Sequence, residues 1–362
     1  MSSNLPVENA KKATMKRMSS GPLAVAKFLI ETFSTVRQRQ PPSKDKTCHV
    51  RLITIGVSHF CEKARFVLDL AEADENSPYY YTEDAHPPGF QAYETLKASN
   101  HEASMTPMAV YEENGESKLI YESARILKHF MPELYPKEIQ SQVEEVEADL
   151  GKRFGAPLRC FAYYYLLSDA KKNHKTLLKM CADPAKVATI ESTVFDKFLE
   201  KGLAAGIKRS LGVDQASFEA SVKELRELFA EWSGRLEDSG GEYLLDTKQK
   251  TYGFTAADLT FAALAYPLLR PAELAAWLVE MEELPPEINA MTRELRATKA
   301  GQHALKIYAK HRLRDGSKFV SMKYMDRTKY VLPSWQTMGV ASVAAMAIAL
   351  GASLSWRKFF VK

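Results

Sequence analysis

Ser58 and Cys61, three residues apart in the run Ser58-His59-Phe60-Cys61, are the side chains best placed by type and spacing to do chemistry. Before them, Val50, Leu52, Ile53 and Ile55 form a short run rich in β-branched residues, which predicts a buried strand that Gly56 ends. After them the apolar spacing turns helical, with Ala64, Val67, Leu68 and Ala71 on one face. A strand that runs straight into a helix brings the helix's first amides, and the positive end of its dipole, to one point. Such a point favours an anion, and a thiolate is an anion. Ser58 also makes an ordinary helix N-cap, and Cys61 by itself reads equally as a small buried residue.

Two further short motifs follow in order. Thr106-Pro107 precedes the apolar strand Met108–Tyr111, and Glu122-Ser123 precedes Ala124-Arg125-Ile126-Leu127. Each alone reads as a loop or a helix cap. Together with Ser58-His59-Phe60-Cys61-Glu62-Lys63-Ala64-Arg65, they resemble the N-terminal domain of the glutathione transferase superfamily. The first motif is similar to the S-x-x-C and C-x-x-C/S signatures of theta-like transferases and glutaredoxins. The second is similar to the cis-proline loop, and the third to the E/Q-S pair at the head of the third helix. The wording SHFCEKARFVLD and then HPPGF looks closest to bacterial-type members.

The resemblance implies an α/β thioredoxin-like domain followed by an all-α domain, glutathione as co-substrate, no metal, and a homodimer. It implies that Ser58 donates to the glutathione sulfur, so that more thiolate exists near neutral pH. The backbone of Thr106, exposed by a cis Pro107, would pair with the cysteinyl unit. Glu122 would take the γ-glutamyl ammonium, while Ser123 and its helix N-terminus take the carboxylate. Glutaredoxins and omega-like transferases carry their nucleophilic cysteine where this chain has Ser58. That disfavours disulfide exchange and leaves Cys61 as the only redox candidate. His59 reads as a loop residue beside the ligand.

The chain has 362 residues, 46% of them hydrophobic, enough for about two domains. A net charge of +4 is too mild to imply nucleic acid. Cys48, Cys61, Cys160 and Cys181 show neither close pairing nor zinc-like spacing, which points to a reducing compartment. Residues 1–47 form a basic extension and linker, with 22–36 a candidate amphipathic helix and an organelle transit peptide an open alternative. The thioredoxin-like domain spans 48–132, with a second strand at Pro78–Thr82 and a hairpin turning at Asn114-Gly115. The helical domain spans 136–316. In it, 136–168 form one long helix or two in series. By resemblance, Arg159, Phe161 and Tyr164 line the pocket for a hydrophobic co-substrate. Thr255 and Asp258 have the spacing of a structural capping box ahead of the apolar helix Leu259–Leu269.

A basic linker, 317–336, leads to the uncharged run 337–356 between Trp335 and Arg357, about 30 Å long as a helix. It reads as a transmembrane tail anchor, with the catalytic domains in the cytosol or an equivalent reducing space and an organelle membrane as the target. The functional expectation is a glutathione transferase acting on a hydrophobic electrophile or peroxide. The alternatives are a non-catalytic glutathione-binding adaptor on an organelle membrane and a thiol transferase using Cys61.

Overall fold

The computed structural model describes residues 43–183 and 186–312. The basic extension, the linker 317–336 and the hydrophobic run 337–356 lie outside the described residues. Among the described residues no helix is long and apolar enough to cross a membrane.

The run ahead of Gly56 forms β1 (Cys48–Ile55), and the chain turns at once into α1 (His59–Ala73). β2 (Tyr79–His86) lies parallel to β1, with Cys48 opposite Tyr79 and Ile55 opposite His86. Pro87-Pro88-Gly89 then bends the chain into α2 (Gln91–Ala98). β3 (Met108–Glu113) and β4 (Glu116–Tyr121) form a hairpin. Its turn residues Asn114 and Gly115 both have positive φ, as a type I′ turn needs. β3 runs antiparallel to β1, giving a mixed sheet of order β2-β1-β3-β4. α3 (Ser123–Phe130) follows β4 directly. This is the thioredoxin-like arrangement that the motif order implied.

β2 continues to His86, beyond the expected end at Thr82. Glu83 and Asp84 are poor strand formers by propensity. Here both are buried and paired, Glu83 with Arg65 and Asp84 with Arg51, so tertiary partners override the local preference. Each sheet face has its own core. Val50, Leu52, Ala109 and Tyr111 join the large core that includes α1 and α3. Ile53 and Met108 pack with Ala103 on the other face, with Ala98 of α2 against them. The period of two along each strand decides which residue goes to which side.

The helical domain begins with α4 (Gln140–Ser168), a single helix that continues through Pro157. The short helices α5 (His174–Cys181), α6 (Thr189–Phe198) and α7 (Ala204–Ser210) lead to α8 (Gln215–Ser239). α9 (Ala256–Leu269) is the central helix, with all but one of its residues buried. It packs against α1, α4 and α11 (Lys299–His311), with α10 (Pro286–Ala297) beside it. Asp258 anchors its first turn, accepting hydrogen bonds from Leu244 N (2.7 Å), Thr255 N (2.9 Å) and Thr255 Oγ1 (2.8 Å).

A buried ionic network joins the two domains through α1. Lys63 pairs with Glu147, which also accepts from the Tyr135 hydroxyl. Glu62 meets Arg65 at 3.2 Å, Tyr308 at 3.2 Å and Arg312 at 3.1 Å. Arg312 pairs in addition with Asp69. Buried charges are tolerated only when paired in this way, and removing one partner typically costs about 3–5 kcal/mol.

Candidate active site

The strand register brings the three motifs to one end of the sheet. Ile53 of β1 lies opposite Met108 of β3, and Met108 lies opposite Tyr121 of β4. The residues after Ile55, before Met108 and after Tyr121 therefore emerge side by side. With strands ~4.8 Å apart, Ser58, Thr106-Pro107 and Glu122-Ser123 form a row of about 10 Å. An extended tripeptide is about as long.

Ser58 is the N-cap of α1, half-buried, yet its side chain caps no helix amide. The hydroxyl is close enough to the Cys61 thiol to oppose the rise in its pKa. Cys61 is fully buried and also receives the Ile55 N–H at 3.4 Å. Burial pushes its thiol pKa up, against the opposing pull of Arg65, Ile55 N–H and Ser58. A thiol with no accessible surface and a raised pKa is a poor partner for disulfide exchange. Burial therefore disfavours the alternative in which Cys61 acts as a redox group.

The Thr106-Pro107 peptide bond is cis. Pro107 is buried and Thr106 is half-buried. Glu122 is exposed, with φ +73° and ψ +124°. For a residue with a side chain that conformation costs on the order of 1–3 kcal/mol and calls for a functional or structural reason. Ser123 is the buried first residue of α3, and no side chain caps this helix either. Two helix N-termini without side-chain caps thus stand at one sheet end, each favouring an anion.

Distant residues hold the loop that carries Ser58. Arg65, buried between Glu62 and Glu83, donates from Nη2 to the Gly56 carbonyl at 2.6 Å. Tyr266 of α9 donates to the Val57 carbonyl at 2.7 Å. The second contact carries no local sequence signal, since Tyr266 lies 209 residues from Val57.

α4 supplies the facing wall. Gly151 and Gly155 present no side chain to Phe60, and a Cβ on Gly155 would meet the Phe60 ring at 3.3 Å. Arg159 and Tyr163 follow at the same four-residue spacing. Arg159 is half-buried, and its charge reaches His59 and Tyr163. His59 is the first residue of α1, not a loop residue, and is 4% exposed. Burial first, and Arg159 second, lower its pKa to about 3, so the ring is neutral at physiological pH.

Of the three expected pocket residues, only Arg159 faces this region. Phe161 and Tyr164 are corrections. Both pack on Phe218 of α8, with centroid distances of 6.0 and 4.2 Å. Tyr164 also bonds Gln215, and Phe161 lines a separate groove between α4, α8 and α10. At about 100° per residue, positions 161 and 164 lie about 160° and 140° around the helix from 159, while 163 lies only about 40° away. The Tyr163-Tyr164-Tyr165 run offers three phases, and the pair Gly151 and Gly155 marks the correct one.

No protein-family model matches the chain, and no curated protein matches it. Among solved structures, FzlA from C. crescentus is similar with 14% identity and a TM-score of 0.38 over 71% of this chain and 92% of its own. The β-etherase LigF from a Sphingobium species shows 14% identity and a TM-score of 0.41, over 71% and 98%. Maleylacetoacetate isomerase from Anaeromyxobacter dehalogenans, solved with glutathione bound in its active site, shows 15% and 0.34, over 75% and 99%. At such values, function has to be argued from this chain's own residues.

Proposed function

We propose that the protein is a glutathione transferase that stabilises the glutathione thiolate for attack on an electrophile. The observation that carries this reading is the row Ser58, cis Thr106-Pro107 and Glu122-Ser123 at one sheet end, flanked by two helix N-termini without side-chain caps. Glutathione is an extended thiol tripeptide with an anionic sulfur in its reactive state and a carboxylate and an ammonium at its γ-glutamyl end. The N-terminus of α1 and the Ser58 hydroxyl favour the thiolate over the thiol. The Thr106 backbone pairs with the cysteinyl unit. Ser123 and the N-terminus of α3 receive the γ-glutamyl carboxylate, while Glu122 receives its ammonium.

A serine hydroxyl has one hydrogen to donate. Given to the glutathione sulfur, it makes a hydrogen bond to an anion, worth about 1.5–3 kcal/mol, while Cys61 keeps the Ile55 N–H. In the attack the sulfur forms its bond to the electrophilic carbon while the leaving group departs with the electron pair. The thiol proton goes to solvent when the thiolate forms.

The test is glutathione binding to the full chain, followed by calorimetry and by ultraviolet absorbance of the thiolate. Ser58→Ala is expected to retain binding within about tenfold and to lose the thiolate signal at neutral pH. No binding by the wild type at millimolar glutathione would overturn the proposal.

A further inference from the structure

Arg159 stands out among the cations at the domain interface. Lys63, Arg65 and Arg312 each pair with a buried carboxylate. Arg51, on the sheet, pairs with Asp84 and Glu94. Arg159 is half-buried, and no carboxylate lies within ion-pair distance of it among the described residues. Its pKa is lowered by burial, and only Tyr163 works in the opposite direction. A half-buried guanidinium without an anion is costly to keep.

Its surroundings supply more donors and no acceptor charge. Its charge reaches His59, 4% exposed, whose Nε2 has no hydrogen-bond partner among the described residues. His59 opens α1, so the amide end of that helix lies at the same place and is not capped by Ser58. The Gly151 and Gly155 notch lets α4 approach Phe60, which sets Arg159 one turn beyond, where its charge reaches His59. The combination is a cationic side chain, an unpartnered buried imidazole and a helix N-terminus, with Tyr163 as an aromatic flank.

We propose that Arg159 and His59 form a carboxylate-binding subsite for the second substrate, so that the electrophile is an aromatic or aliphatic acid. This rests on the glutathione reading above for the position of the attacking sulfur. Arg159 holds the carboxylate, His59 donates from the nitrogen that has no partner among the described residues, and Tyr163 covers the apolar body. The electrophilic carbon is thereby turned toward the Ser58 side of the cleft. The glutathione row leads from Ser58 toward β4, away from α4, which leaves Arg159 to the co-substrate.

The experiment uses the full chain in a mild detergent with glutathione and two probes, 4-(chloromethyl)benzoate and its methyl ester. In each, the thiolate displaces chloride: the C–S bond forms, the C–Cl bond breaks and chloride leaves with the pair. The probes differ in the carboxylate alone. For the acid, kcat/KM is expected to fall at least about tenfold in Arg159→Ala and to recover in part in Arg159→Lys. For the ester the fall is expected to be several-fold smaller, so that the acid-to-ester ratio of kcat/KM drops, while the glutathione Kd stays within about twofold.

Equal losses on both probes would overturn the proposal in favour of a structural role. A weakened glutathione Kd in Arg159→Ala would overturn it in favour of the tripeptide's own glycyl carboxylate. Calorimetric binding of 4-methylbenzoate, with no glutathione present, separates this proposal from the one it rests on. If neither probe turns over, the transferase reading fails. Binding of 4-methylbenzoate to the wild type and its loss in Arg159→Ala still support the subsite, while equal binding by both proteins, or by neither, overturns it.

Discussion

Replacing Asp258 by alanine tests whether the start of α9 is held as the structure shows. The side chain is completely buried and accepts three hydrogen bonds, from Leu244 N, Thr255 N and Thr255 Oγ1, with His303 Nε2 at 3.2 Å. Alanine leaves three donors facing a small cavity. Each unsatisfied buried donor costs about 1–3 kcal/mol, and partial filling of the cavity by water brings the sum to roughly 3–6 kcal/mol. For a chain of this size that lowers Tm by roughly 4–10 °C. Asp258→Asn keeps one acceptor oxygen but turns an amide N–H₂ toward a donor, so its melt is expected to fall between the two. The assay is a thermal melt followed by circular dichroism. An Asp258→Ala melt within about 2 °C of the wild type would refute the argument, because no arrangement of three orphaned donors is that cheap.

Other expected outcomes concern the site itself. Gly155→Val places γ-carbons where even a Cβ stands 3.3 Å from the Phe60 ring, so Phe60 must move. A stability loss of about 1–3 kcal/mol and weaker glutathione binding are expected, and calorimetry on the variant checks both against Gly155→Ala, which should be milder. His59 has its folded pKa depressed to about 3 from 6.5, so the unfolded chain binds the extra proton first. Its contribution to stability is intact above pH 6.5 and is lost as pH falls, by up to about 1.4 kcal/mol per pH unit. Urea titrations from pH 7 to pH 4.5 should therefore show a smaller loss in His59→Gln than in the wild type. Native Cys61 should resist iodoacetamide and become reactive only in denaturant, as peptide mapping would report.

Local patterns were legible where local forces decide. The strand before Gly56, the Asn114-Gly115 hairpin and the Thr255 and Asp258 spacing all appear where the residues indicated, while the cis Pro107 was implied by the resemblance alone. What failed depended on partners far away in the chain. β2 outran its propensity because Arg51 and Arg65 accept its acids. Phe161 and Tyr164 went to α8 because the phase of a 29-residue helix is set by the packing of its glycines on Phe60, not by aromatic content. His59 was hidden because the residue after an N-cap can face solvent or the interior, and only α4 settles which. The positive φ of Glu122 has no composition signal, since the residue is neither glycine nor asparagine.

The clasp on α1 has a consequence for the order in which the chain is completed. Glu62 waits for Tyr308 and Arg312, 246 and 250 residues further on, and Val57 waits for Tyr266. At about 5–20 residues per second, a ribosome needs roughly 12–50 s to deliver Arg312 after Glu62. During that interval the nascent first domain can build its sheet, but Glu62 and Asp69 of the helix that follows Ser58 still lack Arg312. Sheet formation and completion of this end of the sheet are thus separated in time during synthesis, and the loop that carries Ser58 is among the last parts of the molecule to settle.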